Sequence, residues 1–99
     1  MPWTSPKPIK PAYTRSIPED TPGVYRLHNE YGTTIYVGRS TDLEHRLSHY
    51  HQKDDLKRHP TKKALRKEAT HFSFRKITDK EKRRATEKRL KQGKKHNWL

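Results

Sequence analysis

Two short Gly/Tyr motifs constrain the fold of this chain more than any other feature of its sequence. The tripeptides 23–25 (Gly-Val-Tyr) and 36–38 (Tyr-Val-Gly) are separated by ten residues. Residues 24–28 alternate as a half-buried strand does, residues 29–32 have turn chemistry, and residues 33–38 are rich in β-branched types. This pattern predicts a β-hairpin. Because side chains alternate along a strand, Tyr25 and Tyr36 can point to the same face.

A helix is predicted directly after the hairpin. Thr41 to Glu44 has capping-box spacing, which places the start of the helix at Thr41. Leu43, Leu47 and Tyr50 continue at helical intervals, and the helix is expected to end near Asp54 or Asp55. Arg46, His49 and Tyr50 are spaced i, i+3 and i+4, which places them on one face of that helix.

The second half of the chain predicts further helices and one more strand. The basic stretch 56–70 is broken by Pro60 and predicted to be helical through Ala64 and Leu65. Residues 71–77 are predicted to form a third strand, with Phe72, Phe74 and Ile77 pointing inward. Thr78–Glu81 repeats the capping-box spacing before a last helix that runs to Gln92 and stops at Gly93. The fold class is therefore α+β, with a small three-stranded antiparallel sheet flanked by helices.

The chain divides into a Pro-rich basic arm, residues 1–20, and one domain, residues 21–99. Six prolines between positions 2 and 22 preclude a continuous helix in the arm. Trp3, Tyr13 and Ile17 are candidates to attach the arm to the domain. A loosely ordered leader is the equal alternative.

Composition indicates a polyanionic partner. The chain has 24 Lys and Arg against 11 Asp and Glu, a net charge of +13, and only 27% apolar residues. Nucleic acid is the leading partner and an anionic membrane surface the second, but no segment has the amphipathic pattern that membranes require. There is no cysteine, which excludes disulfides and Cys-based zinc sites. We expect a cytoplasmic protein without a membrane partner.

The sequence also contains the groups that phosphodiester hydrolysis requires. The reaction needs a base near the attacking water, cationic stabilisation of the transition state, and help for the leaving oxygen. Tyr25, Tyr36, Arg46 and Glu87 offer these functions. Each has a plain structural alternative: the tyrosines as sheet core, Arg46 as a solvated residue, and Glu87 as an ion-pair partner of a neighbouring cation.

Together these residues resemble the GIY-YIG nuclease superfamily, and in particular the N-terminal catalytic domain of the incision enzyme of bacterial excision repair, an excinuclease. The similarity extends from about Ile17 to Asn97 and is carried by the segments 22–25 and 35–39, followed by 42–43, 46–47 and Tyr50. The resemblance implies a compact fold around a three-stranded antiparallel sheet. It also implies a one-metal phosphodiesterase mechanism with Mg²⁺ or Mn²⁺ and a DNA substrate.

The resemblance implies roles for the catalytic residues. Tyr36 would be the base or the phenol that orients water, and Tyr25 would line the site. Arg46 would be the transition-state cation, and Tyr50 matches the pattern of the excinuclease domain. Glu87 would be the only protein ligand of the metal ion. A single carboxylate suits Mg²⁺, which keeps several waters and takes further ligands from phosphate.

Further residues would contact DNA. Gly38 would allow close backbone approach, Arg39 stands where a lysine is frequent, and Asn97 would be a late polar brace. His49 is a candidate phosphate contact, and with His45 at i−4 it forms the alternative of a zinc pair. No base-reading module is present, so specificity would come from a separate protein or domain, from oligomerisation, or from DNA shape. The competing hypothesis is a catalytically silent nucleic-acid-binding module on the same fold.

Overall fold

A four-stranded antiparallel sheet forms the centre of the protein. The structure is a computed structural model that describes residues 3–51 and 68–93. Its elements in chain order are β1 (Lys7–Pro8), α1 (Pro11–Thr14), β2 (Gly23–His28), β3 (Thr34–Ser40), α2 (Leu43–Ser48), a 3₁₀ turn (His49–His51), β4 (His71–Lys76) and α3 (Lys80–Gly93). The strand order is β1-β4-β2-β3, with every neighbouring pair antiparallel.

The predicted α+β class and the three predicted strands are confirmed, with one addition. The expected sheet had three strands, whereas the arm contributes a fourth short one, β1. Lys7 lies opposite Phe72 and Pro8 opposite His71. Pro8 has no N–H to donate, which is tolerated because β1 lies at the edge of the sheet.

The hairpin forms where the motifs predict it, and a local side-chain contact stabilises its turn. The Asn29 side-chain oxygen accepts hydrogen bonds from the backbone N–H groups of Tyr31 and Thr33, both at 3.0 Å. Gly32 has φ +84°, a conformation that glycine adopts without steric cost. The turn therefore brings β2 and β3 together in the register that the alternation requires.

The central strand β2 is buried on both faces. Tyr25 and Leu27 join the core on one face, with Leu43 and Leu47 of α2 packed against it. Val24, on the opposite face, is also fully buried, and α3 contacts β2 and β3. The prediction of a half-buried strand was wrong because alternation along β2 does not reveal that a second helix covers the other face.

The arm packs against the sheet over its described residues. Ile17 is 4% exposed within the core, and the Arg26 guanidinium lies 3.9 Å from the Trp3 ring centroid. Tyr13, the third candidate for attachment, is 40% exposed. The division of the chain at residue 20 stays a prediction.

Aspartates, rather than the predicted threonines, cap the two longer helices. The Asp42 side chain accepts from the backbone N–H of His45 at the start of α2. Asp79 accepts from the N–H groups of Glu81 and Lys82 at the start of α3. Both starts therefore lie one residue later than the threonine spacing indicates, since in each case the carboxylate reaches the free N–H groups.

The predicted ends of the helices are only partly testable. The α-helical part of α2 stops at Ser48 and continues as a 3₁₀ turn to His51, and α3 reaches Gly93. The predictions near Asp54 or Asp55, and at Ala64 and Leu65, lie outside the described residues. Within residues 3–51 and 68–93, no helix has the length and apolar character needed to cross a membrane.

A buried histidine network stabilises the outer part of β2. His28 is 5% exposed, and its Nε2 lies 2.8 Å from the Ser73 hydroxyl, while Nδ1 lies 3.3 Å from the Thr34 hydroxyl. Burial, helped by the nearby positive charge of Arg26 and by His71, lowers the pKa of His28 to about 4. The imidazole is therefore neutral in the folded protein at neutral pH.

This network predicts a loss of stability in mild acid. In the unfolded chain His28 protonates near ~6.5, but in the folded protein only near 4. Its contribution is complete above pH ~6.5 and is lost as the pH falls towards 4. We expect His28→Gln to flatten this decline in urea unfolding measured from pH 7 to pH 4. The exposed His45→Gln is the control, and identical pH profiles for His28→Gln and the parent would contradict the assignment.

Candidate active site

Three tyrosines cluster on the α2 side of the sheet. Tyr25 lies opposite Gly38 and Leu27 opposite Tyr36, so Tyr25 and Tyr36 are diagonal neighbours on one face. Their ring centroids are 6.1 Å apart, as are those of Tyr25 and Tyr50. The buried hydroxyls of Tyr25 and Tyr50 form a 2.9 Å hydrogen bond. The predicted common orientation of the two hairpin tyrosines is confirmed, and Tyr50 joins them from the 3₁₀ turn that follows α2.

Gly38 leaves the space that the Tyr25 ring occupies. A Cβ built at Gly38 would lie 2.5 Å from both Cζ and the hydroxyl oxygen of Tyr25. The resemblance predicted a close approach at this glycine, and the closely approaching group is the tyrosine side chain. Gly38 thereby fixes where the Tyr25 hydroxyl points, towards Tyr50.

We expect Gly38→Ala to displace the Tyr25 ring. Because the ring is buried on its other sides, the added methyl group should lower the free energy of unfolding by about 1–3 kcal/mol. Urea unfolding checks this value. On a Tyr25→Leu background the penalty should shrink, since the clashing hydroxyl and ring are gone. An equal penalty on both backgrounds would show that the methyl group clashes elsewhere.

Tyr25 is held protonated. Burial raises the pKa of its hydroxyl well above the ordinary value for tyrosine, and Tyr50 and Tyr36 raise it further. The positive charge of Arg46 acts in the opposite direction but is the smaller influence. A phenol in this state orients its neighbours and does not accept a proton at neutral pH.

A cationic cleft opens between the end of β3, the start of α2 and the start of α3. Its volume is about 300 Å³. Arg39 and Arg46, both predicted site residues, line it together with residues that the sequence analysis did not assign to the site: Ser40, Thr41, Lys80, Arg83 and Arg84. Lys80, Arg83 and Arg84 are spaced i, i+3 and i+4, so the sequence carried the signal that they share one face of α3.

Arg83 has a structural part in this cleft. The residue is 8% exposed, and its Nη1 donates hydrogen bonds to the backbone oxygens of Ile77 (3.1 Å) and Thr78 (2.8 Å). These bonds tie the start of α3 to the loop that follows β4. The guanidinium charge therefore stays at a fixed position beside Arg39 and Arg46.

Glu87 lies at the border of this cleft, paired with two cations. Arg39 Nη1 donates to Glu87 Oε1 at 3.2 Å, and Lys91 Nζ lies 3.7 Å from Oε2. The Glu87 side chain is 15% exposed and that of Arg39 47%. Among the described residues, no group of three or more His, Cys, Asp or Glu side chains could hold a metal ion.

The donor chemistry around Glu87 fits a Mg²⁺ or Mn²⁺ ion that shares its shell with water and phosphate. Glu87 supplies one hard carboxylate next to the cleft, bonded to the lining residue Arg39, and such ions accept one protein carboxylate. The exposed Arg39 side chain can turn away from Glu87 towards a phosphate in the cleft. These residues therefore fit the cofactor that the resemblance implied.

Of the predicted site residues, only Arg39 and Arg46 are among the described residues that line the cleft, and His49 joins neither the cleft nor the tyrosine cluster. His49 is half-buried, its ring contacts His45 with 4.5 Å between centroids, and it is not among the described residues that line the cleft. The zinc alternative acquires no third ligand within residues 3–51 and 68–93. Asn97 lies outside the described residues, so its part in the site stays a prediction.

Curated relatives match part of this chain. UvrABC system protein C of Neisseria meningitidis serogroup B is 44% identical over 45 residues, which are 46% of this chain and 7% of that protein. The protein of the same name from Shewanella sediminis is 60% identical over 30 residues, 30% of this chain and 5% of that protein. The chain thus matches a small part of the length of these relatives.

A solved structure shares the fold. The N-terminal GIY-YIG endonuclease domain of UvrC from Thermotoga maritima, bound to its catalytic divalent cation, magnesium, superposes with a TM-score of 0.71. The alignment covers 88% of this chain and 96% of that domain at 20% identity. The sequence model of the family described as the UvrC-like GIY-YIG domain matches residues 21–92. This range is most of the chain and includes both tripeptides, Arg46 and Glu87. The chain belongs to the UvrC-like GIY-YIG domain family.

Proposed function

We propose that this protein is a divalent-metal-dependent endonuclease that hydrolyses phosphodiester bonds in DNA. The observation that carries the proposal is the convergence of Arg39 and Arg46 on one cleft, with Glu87 bonded to Arg39 at its border. The sequence separates these three residues, and the fold brings them together. The fold shared with the Thermotoga maritima endonuclease domain and the net charge of +13 support a nucleic-acid substrate.

The cleft suits the scissile phosphate. Arg39 and Arg46 are charge-assisted donors to phosphate oxygens, and their positive charge would stabilise the negative charge that develops in the transition state. Arg83, held by two backbone oxygens, would keep the potential of the cleft positive without having to move. Arg46 would also be the cation nearest the tyrosine cluster, since it acts electrostatically on Tyr25.

The tyrosines would divide the proton chemistry between them. Tyr36 is half-buried at the edge of the cluster. After losing its own proton to solvent, its phenolate oxygen would orient the attacking water and receive one proton from it. Tyr25 is held protonated in the buried pair with Tyr50. Its part would be to fix the position of the Tyr36 ring, which makes Tyr25 and Tyr50 positioning residues in this proposal.

Glu87 would hold the metal ion. When bound, a divalent ion supplies positive charge at the developing phosphorane-like centre and lowers the pKa of coordinated water. Arg39 would release Glu87 in the same step in which it takes up the phosphate. This exchange keeps the charge of Arg39 paired, because Arg39 trades one anionic partner for another.

One observation favours a second function. Glu87 is satisfied by Arg39 and by Lys91 at i+4, which is also what a purely structural carboxylate would show. A catalytically silent DNA-binding module would keep this ion pair and the basic surface. Nicking activity decides between the two functions.

The substrate and its partners belong to the proposal as well. No described element has the arrangement of a base-reading motif, so we propose recognition of DNA shape or guidance by a separate specificity subunit. A cytoplasmic location stays a prediction.

The test is a plasmid-nicking assay in Mg²⁺ or Mn²⁺ with an EDTA control. We expect supercoiled DNA to become nicked only when the divalent ion is present. Binding without nicking in either ion, at protein concentrations that saturate the plasmid, would favour the silent module. Nicking that persists in EDTA would contradict the metal-dependent mechanism.

A further inference from the structure

A second cationic groove lies between β4 and α3. Its volume is about 440 Å³. The described residues that line it are Arg75, Ile77, Lys82, Ala85, Thr86 and Arg89. Three of these are basic and none is acidic, in contrast to the first cleft, where Glu87 balances part of the charge. We call it the β4–α3 groove.

The two clefts lie on opposite flanks of α3. At 100° per residue, Lys80 and Arg84 fall on one side of the helix and Lys82 and Arg89 on the other. The first pair lines the cleft beside Glu87 and the second lines the β4–α3 groove. The surface of α3 between the flanks carries Glu81 and Lys88, faces away from the sheet and is exposed.

The arginine at the base of this groove has an unsatisfied donor. The Nε atom of Arg75 is buried, with no hydrogen-bond partner in the part of the chain that the structure describes, and the same holds for Arg26. Arg26 lies opposite Ser73 and Val24 lies opposite Arg75, so the two arginines are diagonal neighbours on one face. Arg26 stacks on Trp3, whereas Arg75 lines the groove. A partly desolvated cation is unfavourable unless an anion neutralises it.

The chemistry of the lining selects a phosphodiester backbone. Lys82 and Arg89 extend from the exposed flank of α3, and Thr86 adds a hydroxyl that can donate to phosphate oxygen. No aromatic side chain is among the described lining residues, so no platform for stacking bases is present there.

We propose that the β4–α3 groove binds the phosphodiester backbone of the second strand of a DNA duplex whose first strand enters the cleft beside Glu87. This inference rests on the proposed function. An α-helix with its side chains is about 10–12 Å across, and the major groove of B-DNA, about 12 Å wide, admits such a helix. Cations along both flanks of α3 would then contact the two phosphodiester backbones that border the major groove of the DNA.

The test compares two double variants that each remove two positive charges. K82Q/R89Q neutralises the flank of α3 in the β4–α3 groove. K10Q/R15Q neutralises the exposed residues that flank α1, which contacts α2 and therefore lies on the other side of the sheet. Binding to a short duplex and to one of its single strands is measured by fluorescence anisotropy in EDTA over a series of salt concentrations. The readout does not depend on cleavage, so it stays informative if the proposed nuclease activity fails.

We expect K82Q/R89Q to weaken duplex binding by about tenfold and to reduce the slope of log affinity against log salt by about 1 to 2. The loss of affinity for the single strand should be several-fold smaller, because a single strand occupies only the cleft beside Glu87. Thermal unfolding of both variants checks that the fold is intact. A duplex loss no greater than that of K10Q/R15Q, or equal losses on duplex and single strand, would overturn the proposal.

Discussion

Glu87→Gln abolishes nicking while DNA affinity stays equal or rises slightly. The amide keeps the size of the side chain but loses the charge that a divalent ion requires. We expect the rate to fall by about a thousandfold or more, which corresponds to about 4 kcal/mol of transition-state stabilisation. Binding should not suffer, because the change leaves Arg39 and Lys91 without their anionic partner and so makes the cleft more positive.

Two measurements separate loss of the metal ion from loss of structure. Titration calorimetry with Mn²⁺ in the absence of DNA should show weaker binding to Glu87→Gln than to the parent. Glu81→Gln is the matched control, since it removes the same charge from an exposed position on α3 and should leave nicking and Mn²⁺ binding unchanged. Nicking by Glu87→Gln within a few-fold of the parent would exclude Glu87 as the metal ligand.

Tyr36→Phe slows cleavage by about a hundredfold or more and leaves the fold unchanged. The substitution deletes one hydroxyl and keeps the ring that packs beside Tyr25 at 6.1 Å. If the Tyr36 oxygen, as phenolate, orients water and receives its proton, the variant loses general-base catalysis, typically worth ~10²–10⁴ in rate. Unfolding midpoints of variant and parent should agree, because the hydrophobic contact area is nearly the same.

Cation binding should survive this substitution. The proposed metal ligand is the Glu87 carboxylate, and the substitution leaves this carboxylate and its charge in place. We therefore expect Mn²⁺ affinity of Tyr36→Phe to match that of the parent while the rate falls. Tyr31→Phe, at a position 83% exposed in the hairpin turn, controls for a nonspecific effect of losing a phenol. Unchanged turnover of Tyr36→Phe would show that Tyr36 serves only in packing.

Local pattern was sufficient for the hairpin and for its two tyrosines. The turn residues from Asn29 to Gly32 and the β-branched residues after them depend on interactions within a few positions. The common face of Tyr25 and Tyr36 follows from the period of two, once the hairpin register is set. The position of Glu87 among the cations of α3 also follows from local sequence, because it depends only on helical spacing.

The capping residues show where local pattern becomes ambiguous. Thr41 and Thr78 have capping-box spacing, but Asp42 and Asp79 accept the N–H bonds at the two helix starts. Each pair offers two adjacent residues that can cap. The path of the chain between the preceding strand and the helix decides which of the two residues caps the helix. That path depends on how the helix packs against the sheet.

Tertiary structure alone decided how the site is assembled. Arg39 and Glu87 form their ion pair across 48 positions of sequence, and the arm adds β1 beside β4, with Lys7 opposite Phe72. Periodicity along a strand or helix reports which side chains share a face, but not which distant element will cover that face. The sequence by itself therefore determined the hairpin, the orientation of its tyrosines and the family resemblance. The burial of β2 on both sides, the Arg39–Glu87 pair and the two cationic clefts beside α3 arise only when α3 packs across the sheet, because contacts between distant segments form only once the chain has folded.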